Sequence, residues 1–100
     1  MLRYELKAGR EAEFEVYGRQ WITLVNQFGG QHHGYFMPSE GASDVAYALF
    51  TFASLAAYEI YREASAKDPM CQSLFRELPA LMHRYDRTFL RPVLDGMELQ

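Results

Sequence analysis

The chain has 100 residues and a mass of 11.6 kDa, enough for one hydrophobic core and too short for a second domain, so residues 1–100 read as a single domain. Its composition, 49% hydrophobic and 23% charged, excludes intrinsic disorder, and no apolar run approaches the ~20 residues of a membrane span. Ten Lys and Arg against thirteen Asp and Glu give a net charge of −3, the wrong sign for a nucleic-acid binder that displaces counterions from phosphates.

In chain order, Leu2 to Leu6 alternates apolar and polar residues, with Leu2, Tyr4 and Leu6 on one face and Arg3 and Glu5 on the other, which predicts a half-buried strand. From about Arg10 to Phe28 the apolar residues Phe14, Tyr17, Trp21, Leu24, Val25 and Phe28 recur at spacings of three and four, the pattern of an amphipathic helix. Gly18 inside it implies close approach of a neighbour, and Gly29-Gly30 supplies a left-handed stop. Gln31 to Met37 is a second strand interrupted by Gly34, and Pro38 to Ser43 a reversing loop. Val45 to Phe52 is apolar on both faces of a two-residue period, which predicts a strand buried on both sides. Ser54 caps a helix carrying Leu55, Tyr58 and Tyr61 on one face and ending near Asp68-Pro69. A third helix starts there with the stripe Cys71, Leu74, Phe75, Leu78, Leu81 and Met82, and Pro79 is expected to kink or split it. Tyr85 to Leu90 reads as the last strand, ended by Arg91-Pro92, with Val93 to Gln100 as a tail to which the pattern assigns no structure.

Strand, helix, strand, strand, helix with a helical extension, strand is the ferredoxin-like βαββαβ order, an α+β fold with a four-stranded antiparallel sheet covered by helices on one side. That architecture leaves the other sheet face bare. The third strand offers no polar face to put there, so a second copy of the chain is the expected cover.

Several stretches resemble the NIPSNAP family of small dimeric α/β-barrel proteins. Tyr4-Glu5-Leu6-Lys7-Ala8-Gly9 leading into Glu11 to Tyr17 is similar to that family's opening strand, glycine turn and acidic-aromatic helix. Phe28-Gly29-Gly30, Gly34-Tyr35-Phe36, Phe52-Ala53-Ser54-Leu55 with Tyr58 and Arg62, Asp68-Pro69 and Leu90-Arg91-Pro92 follow in the family's order. The chain departs from the pattern at Ala48 and Phe50, where the family commonly has a His and a Trp, and at Cys71, where an aromatic often stands. The resemblance implies a homodimer whose two sheets face each other, and it implies little about chemistry. Wider relatives of the fold include cofactor-free monooxygenases, haem-degrading enzymes and isomerases of small aromatic compounds, an analogy of fold alone.

His32 and His33 are the candidate acid-base pair, since imidazole titrates near neutrality. Neighbours on a strand point to opposite faces, so one is expected toward the helices and the other toward a partner's sheet, and register decides which. His83 is expected to serve a helix end. Arg3, with Glu5 orienting it, is a candidate for an anionic ligand, against the plainer expectation of cross-strand pairing. Tyr17, Trp21, Tyr35 and Tyr47, with Tyr58 and Tyr61, suggest either a semi-polar aromatic core or the lining of a pocket for a small aromatic ligand. That cavity is expected between the first helix and the sheet, with Tyr17 and Trp21 as walls. The helical carboxylates read as a solvated face, and no metal-ligand spacing, nucleophile motif or phosphate-cradling loop occurs. The first helix has no His on its apolar stripe for haem. No cofactor and no metal are therefore expected, and the single Cys71 and the lack of a signal-peptide pattern read as cytoplasmic. The leading expectation is a homodimeric binding or interaction protein. The alternative is a cofactor-independent monooxygenase or isomerase acting on a small aromatic or polyketide-like compound, with His32 or His33 as base.

Overall fold

A computed structural model of the chain describes residues 1–41, 44–91 and 93. Ala42 and Ser43 of the reversing loop, Pro92, and positions 94–100 of the tail lie outside the described residues. Among the described residues the elements are β1 (Leu2–Leu6), α1 (Glu11–Gln27), β2 (Gln31–Phe36), β3 (Val45–Thr51), α2 (Leu55–Lys67), α3 (Pro69–Leu81) and β4 (Met82–Arg87). The sheet runs β2-β3-β1-β4 with every adjacent pair antiparallel, and the α+β fold is ferredoxin-like as expected.

Capping chemistry sets the helix ends. Gly29, at φ 94°, lets the Gly30 N–H reach the Val25 carbonyl at 2.9 Å, a Schellman closure of α1. Ser54 Oγ accepts from the Ala57 N–H at 3.0 Å and starts α2. Asp68 works in both directions. Its N–H bonds the Ser65 carbonyl at the end of α2, and its carboxylate accepts from the Cys71 N–H at 3.0 Å to open α3, where Pro69 occupies a first-turn position that needs no donor.

The core lies between the helices and one sheet face. Leu2, Tyr4 and Leu6 from β1 and Ala46 and Ala48 from β3 meet Phe14, Tyr17, Trp21, Leu24 and Val25 from α1 and Cys71, Leu74, Leu78 and Leu81 from α3. Phe14 is completely buried and meets Tyr4 edge-on, with centroids 4.9 Å apart; burial of one such ring contributes about 2 to 3 kcal/mol.

Three expectations need correction. The last strand is Met82–Arg87, not Tyr85 to Leu90, because Met82 leaves the helical stripe for extended geometry and pairs with Leu6. The Lys7 N–H takes the Leu81 carbonyl at 2.9 Å, so the residue just past β1 satisfies the end of the helix. Pro79 does not split α3; it lies in the last turn, where the loss of one donor is tolerated. Leu55 and Phe75 belong to predicted apolar faces yet stand well exposed. Within one chain β3 is covered on one side: Ala46 and Ala48 are buried, whereas Tyr47 and Leu49 on the opposite face, where a second copy is the expected cover, are each 38% exposed. The helix-free face is apolar along β3 and β2, where Val45, Tyr47, Leu49 and Phe36 share it, and charged along β1 and β4.

Candidate functional site

Beneath the helices, a cavity of about 40 Å³ opens between α1, α2, α3 and the covered sheet face. Tyr17 and Trp21 reach it from successive turns of α1, His32 and Tyr35 from β2, and Tyr58 and Tyr61 from α2. A regular strand would send His32 and Tyr35 to opposite faces, being three positions apart. The register shifts between His32 and Gly34, with Gly34 at φ 113°, and this bulge turns both rings inward, where they stack with centroids 5.0 Å apart.

Gly18 makes room for that stack. A Cβ at position 18 would lie 2.8 Å from Tyr35 Cδ2, so the bare helix backbone is what the Tyr35 ring packs against. The close neighbour implied by a glycine inside α1 is this ring. On its other sides Tyr35 meets Phe14 at 5.5 Å and Tyr4 at 6.1 Å, and Tyr4 stacks on Tyr85 at 5.7 Å.

Protonation in the cavity follows from burial. The Tyr4, Tyr17 and Tyr35 hydroxyls are pushed well above the usual phenol range, first by desolvation and then by one another, and Tyr61 is raised to about 12 chiefly by burial. All four therefore remain neutral hydroxyls. His32 is lowered to about 4, first by burial and then by the neighbouring His33, so its ring is uncharged at neutral pH. The Gly34 N–H donates to His32 Nδ1 at 2.9 Å, which leaves the neutral ring's proton on Nε2. That Nε2 is buried and meets no acceptor among the described residues. Trp21 Nε1, on a side chain only 5% exposed, likewise makes no hydrogen bond of good geometry, apart from a weak contact with the Tyr17 hydroxyl. Two N–H donors on the walls of one cavity are thus unpaired, an arrangement that costs about 1 to 3 kcal/mol for each group left so.

Two guanidiniums also border the cavity. Arg62 donates to the Tyr58 hydroxyl at 3.3 Å, and Arg87, opposite Leu2 in the sheet register, shares the covered face. Neither has a carboxylate partner among the described residues. The sequence reading overlooked both, along with Tyr4 and Tyr85; the available signals were the four-residue step from Tyr58 to Arg62 on α2 and the two-residue step from Tyr85 to Arg87 in the last strand.

The remaining sequence candidates do not join this cavity. His33 is on the open face, exposed, 2.6 Å from Thr51 Oγ1. Arg3 and Tyr47 are on that face too, so the five ligand-binding candidates divide between the two sides of the sheet. Arg3 belongs to a charged ladder, 3.9 Å from Glu5, which pairs with Arg84 at 3.1 Å, which in turn bonds Asp86 at 3.0 Å. Cys71 is buried, and burial together with the Asp68 carboxylate raises its thiol to about 11. Among the described residues no group of three or more His, Cys, Asp or Glu gathers as a metal would require.

Solved structures share this arrangement of sheet and helices. A NIPSNAP family protein from Agrobacterium tumefaciens superposes with a TM-score of 0.83 at 23% identity, over 99% of this chain and 94% of its own. An uncharacterized NIPSNAP domain protein from Burkholderia xenovorans gives 0.81 at 17% identity, over 97% and 95%. An uncharacterized NIPSNAP-like domain protein from the same organism gives 0.83 at 22%, over 99% and 87%. At these identities the likeness is one of fold. Comparison with curated proteins finds no match. The NIPSNAP family model matches residues 1–95, nearly the whole chain, and the chain therefore belongs to the NIPSNAP family.

Proposed function

We propose that this protein is a homodimeric binding protein that holds a small molecule in the cavity between α1 and the sheet. The observation that carries the reading is the pair of unpaired donors, Trp21 Nε1 and His32 Nε2, on the walls of one tyrosine-lined cavity. A core built only for stability would satisfy or omit them. The apolar strip of the open face supports the homodimer, because a second copy laid on it would bury Val45, Tyr47, Leu49 and Phe36 at once. A cytoplasmic location fits a chain whose one cysteine is a buried thiol, and no described helix is long and apolar enough to cross a membrane.

The monooxygenase or isomerase reading finds less support, since the described residues bring no free base to the cavity. His33 lies on the other face, and His32 already uses Nδ1 to accept from the Gly34 N–H. Native mass spectrometry of the purified protein tests the proposal. The expected species has twice the 11.6 kDa chain mass and carries a small extra mass that leaves on denaturation. A bare polypeptide mass under the gentlest conditions would overturn the binding reading, and a monomer the dimer.

A further inference from the structure

We infer that the cavity takes a small organic anion, with the ligand's oxygens accepting from Trp21 Nε1–H and His32 Nε2–H and with Arg62 and Arg87 supplying the countercharge. This rests on the binding reading above and adds the chemical class of the ligand. Three independent features converge on it. First, the unpaired groups are both donors: indole nitrogen has no other role, and the imidazole is held as a donor by the Gly34 N–H on its far nitrogen. A pair of donors calls for an acceptor, and the oxygens of a carboxylate accept from both without bringing a hydrogen of their own. Second, the other uncharged polar groups around the cavity are tyrosine hydroxyls, which adapt to either role, and among the described residues no carboxylate borders it to repel an anion. Third, the two cations beside it, Arg62 and Arg87, have no carboxylate partner among the described residues. A guanidinium left free next to a ring-lined cavity is suited to a carboxylate, which it can engage through two parallel N–H bonds.

Size adds a further limit. A volume of about 40 Å³ accommodates a carboxylate head and not a fused ring system, so the rest of the ligand would extend toward the rim, where Phe75 and Tyr85 are partly exposed. The inferred class is therefore a carboxylic acid with a small or flat apolar body.

Saturation-transfer NMR titrations of the full chain with benzoate, acetate and benzyl alcohol test the inference. Benzoate is expected to bind saturably, and benzyl alcohol, matched in shape but uncharged, about tenfold more weakly or worse. Arg62→Gln alters an exposed side chain that leaves the fold intact and is expected to weaken benzoate about tenfold without changing benzyl alcohol. His32→Phe keeps a ring to stack on Tyr35 and removes the donor, with a similar loss expected. Equal affinity for benzoate and benzyl alcohol, or benzoate binding indifferent to both variants, would overturn the anion and leave a binding cavity standing. Failure of both acids while native mass spectrometry finds a retained neutral molecule would do the same. Failure of all three probes with no retained mass, so that water alone meets the two donors, would overturn the inference and the binding reading together.

Discussion

Trp21 concentrates more consequence than any other single side chain. Its ring lies edge-on to Tyr17 at 6.4 Å and tilted against Phe75 at 5.0 Å, and it is 5% exposed. Trp21→Ala should therefore cost about 3 to 5 kcal/mol, read from urea unfolding. As the chain's one tryptophan, it should emit at a blue-shifted maximum that iodide quenches poorly in the native state and that moves to the red on unfolding. A maximum already at the value of the free amino acid would contradict the burial. His32 gives the second residue-scale expectation. Its folded-state value of about 4 lies below the 6.5 of an unfolded histidine, so the unfolded chain takes up the proton first as pH falls. The contribution of this ring is present above pH 6.5, is lost as the pH falls from about 6.5 to 4, and changes no further below that. Because the ring is only half buried, solvent screening reduces the size of the effect and leaves its sign. The measurement is the stability difference between wild type and His32→Gln at pH 7.5 and at pH 4.5. The wild type should lose more on acidification, and parallel losses would show that the ring titrates alike in both states.

At the scale of elements, α1 and β2 are locked through Gly18 and Tyr35. Alanine is favoured over glycine by about 1 kcal/mol inside a helix, yet a Cβ here would meet Tyr35 Cδ2 at 2.8 Å. Phe14, Tyr4 and His32 hem in that ring, so it has little room to retreat. Overpacking of this kind costs about 1 to 3 kcal/mol, so Gly18→Ala should lower the melting temperature despite its better helix propensity. A variant that melts higher would mean that Tyr35 moves freely. The spacing of apolar residues made α1 legible almost residue for residue, because an amphipathic helix records in its own period what it buries. The cap at Ser54 and the helix boundary at Asp68-Pro69 were equally plain, since each is set by a residue at the boundary itself, while the capping role of the Asp68 carboxylate went unread. What the sequence hid were places where a distant strand decides. The sheet pairing of Met82 takes that residue out of a stripe it fits by period, and the bulge at His33 breaks the alternation that placed Tyr35 opposite His32. Gly34 inside β2 was the local sign of that bulge. The same limit applied to the candidate site: its aromatic walls could be read from composition, but Arg62 and Arg87 come together only through α2 packing and β4 register.

The whole molecule presents two sheet faces with opposite needs, and residues 49 and 50 separate them. Phe50 belongs to the covered side, with its ring 5.4 Å from His32 and 6.5 Å from Tyr61, while Leu49 stands on the open side beside Tyr47. A sheet that buried only one face would carry polar residues on the other, as β1 and β4 do with Arg3, Glu5, Arg84 and Asp86. The apolar strip of β3 and β2 breaks that rule, and a twofold axis through it would bring the strip against its own copy. Aspartate at the two positions should then have different effects. Phe50→Asp places an unpaired charge among the rings below the helices and should abolish folding, seen as loss of the helical circular dichroism signal. Leu49→Asp would place two carboxylates against each other across the interface of the proposed dimer and would meet only water in a monomer. It should leave the dichroism spectrum unchanged and halve the sedimenting mass from the dimer to the 11.6 kDa chain at micromolar concentration. A folded Leu49→Asp variant that still sediments as a dimer would move the contact elsewhere, with the exposed Leu55 and Ile60 of α2 as the next surface to substitute.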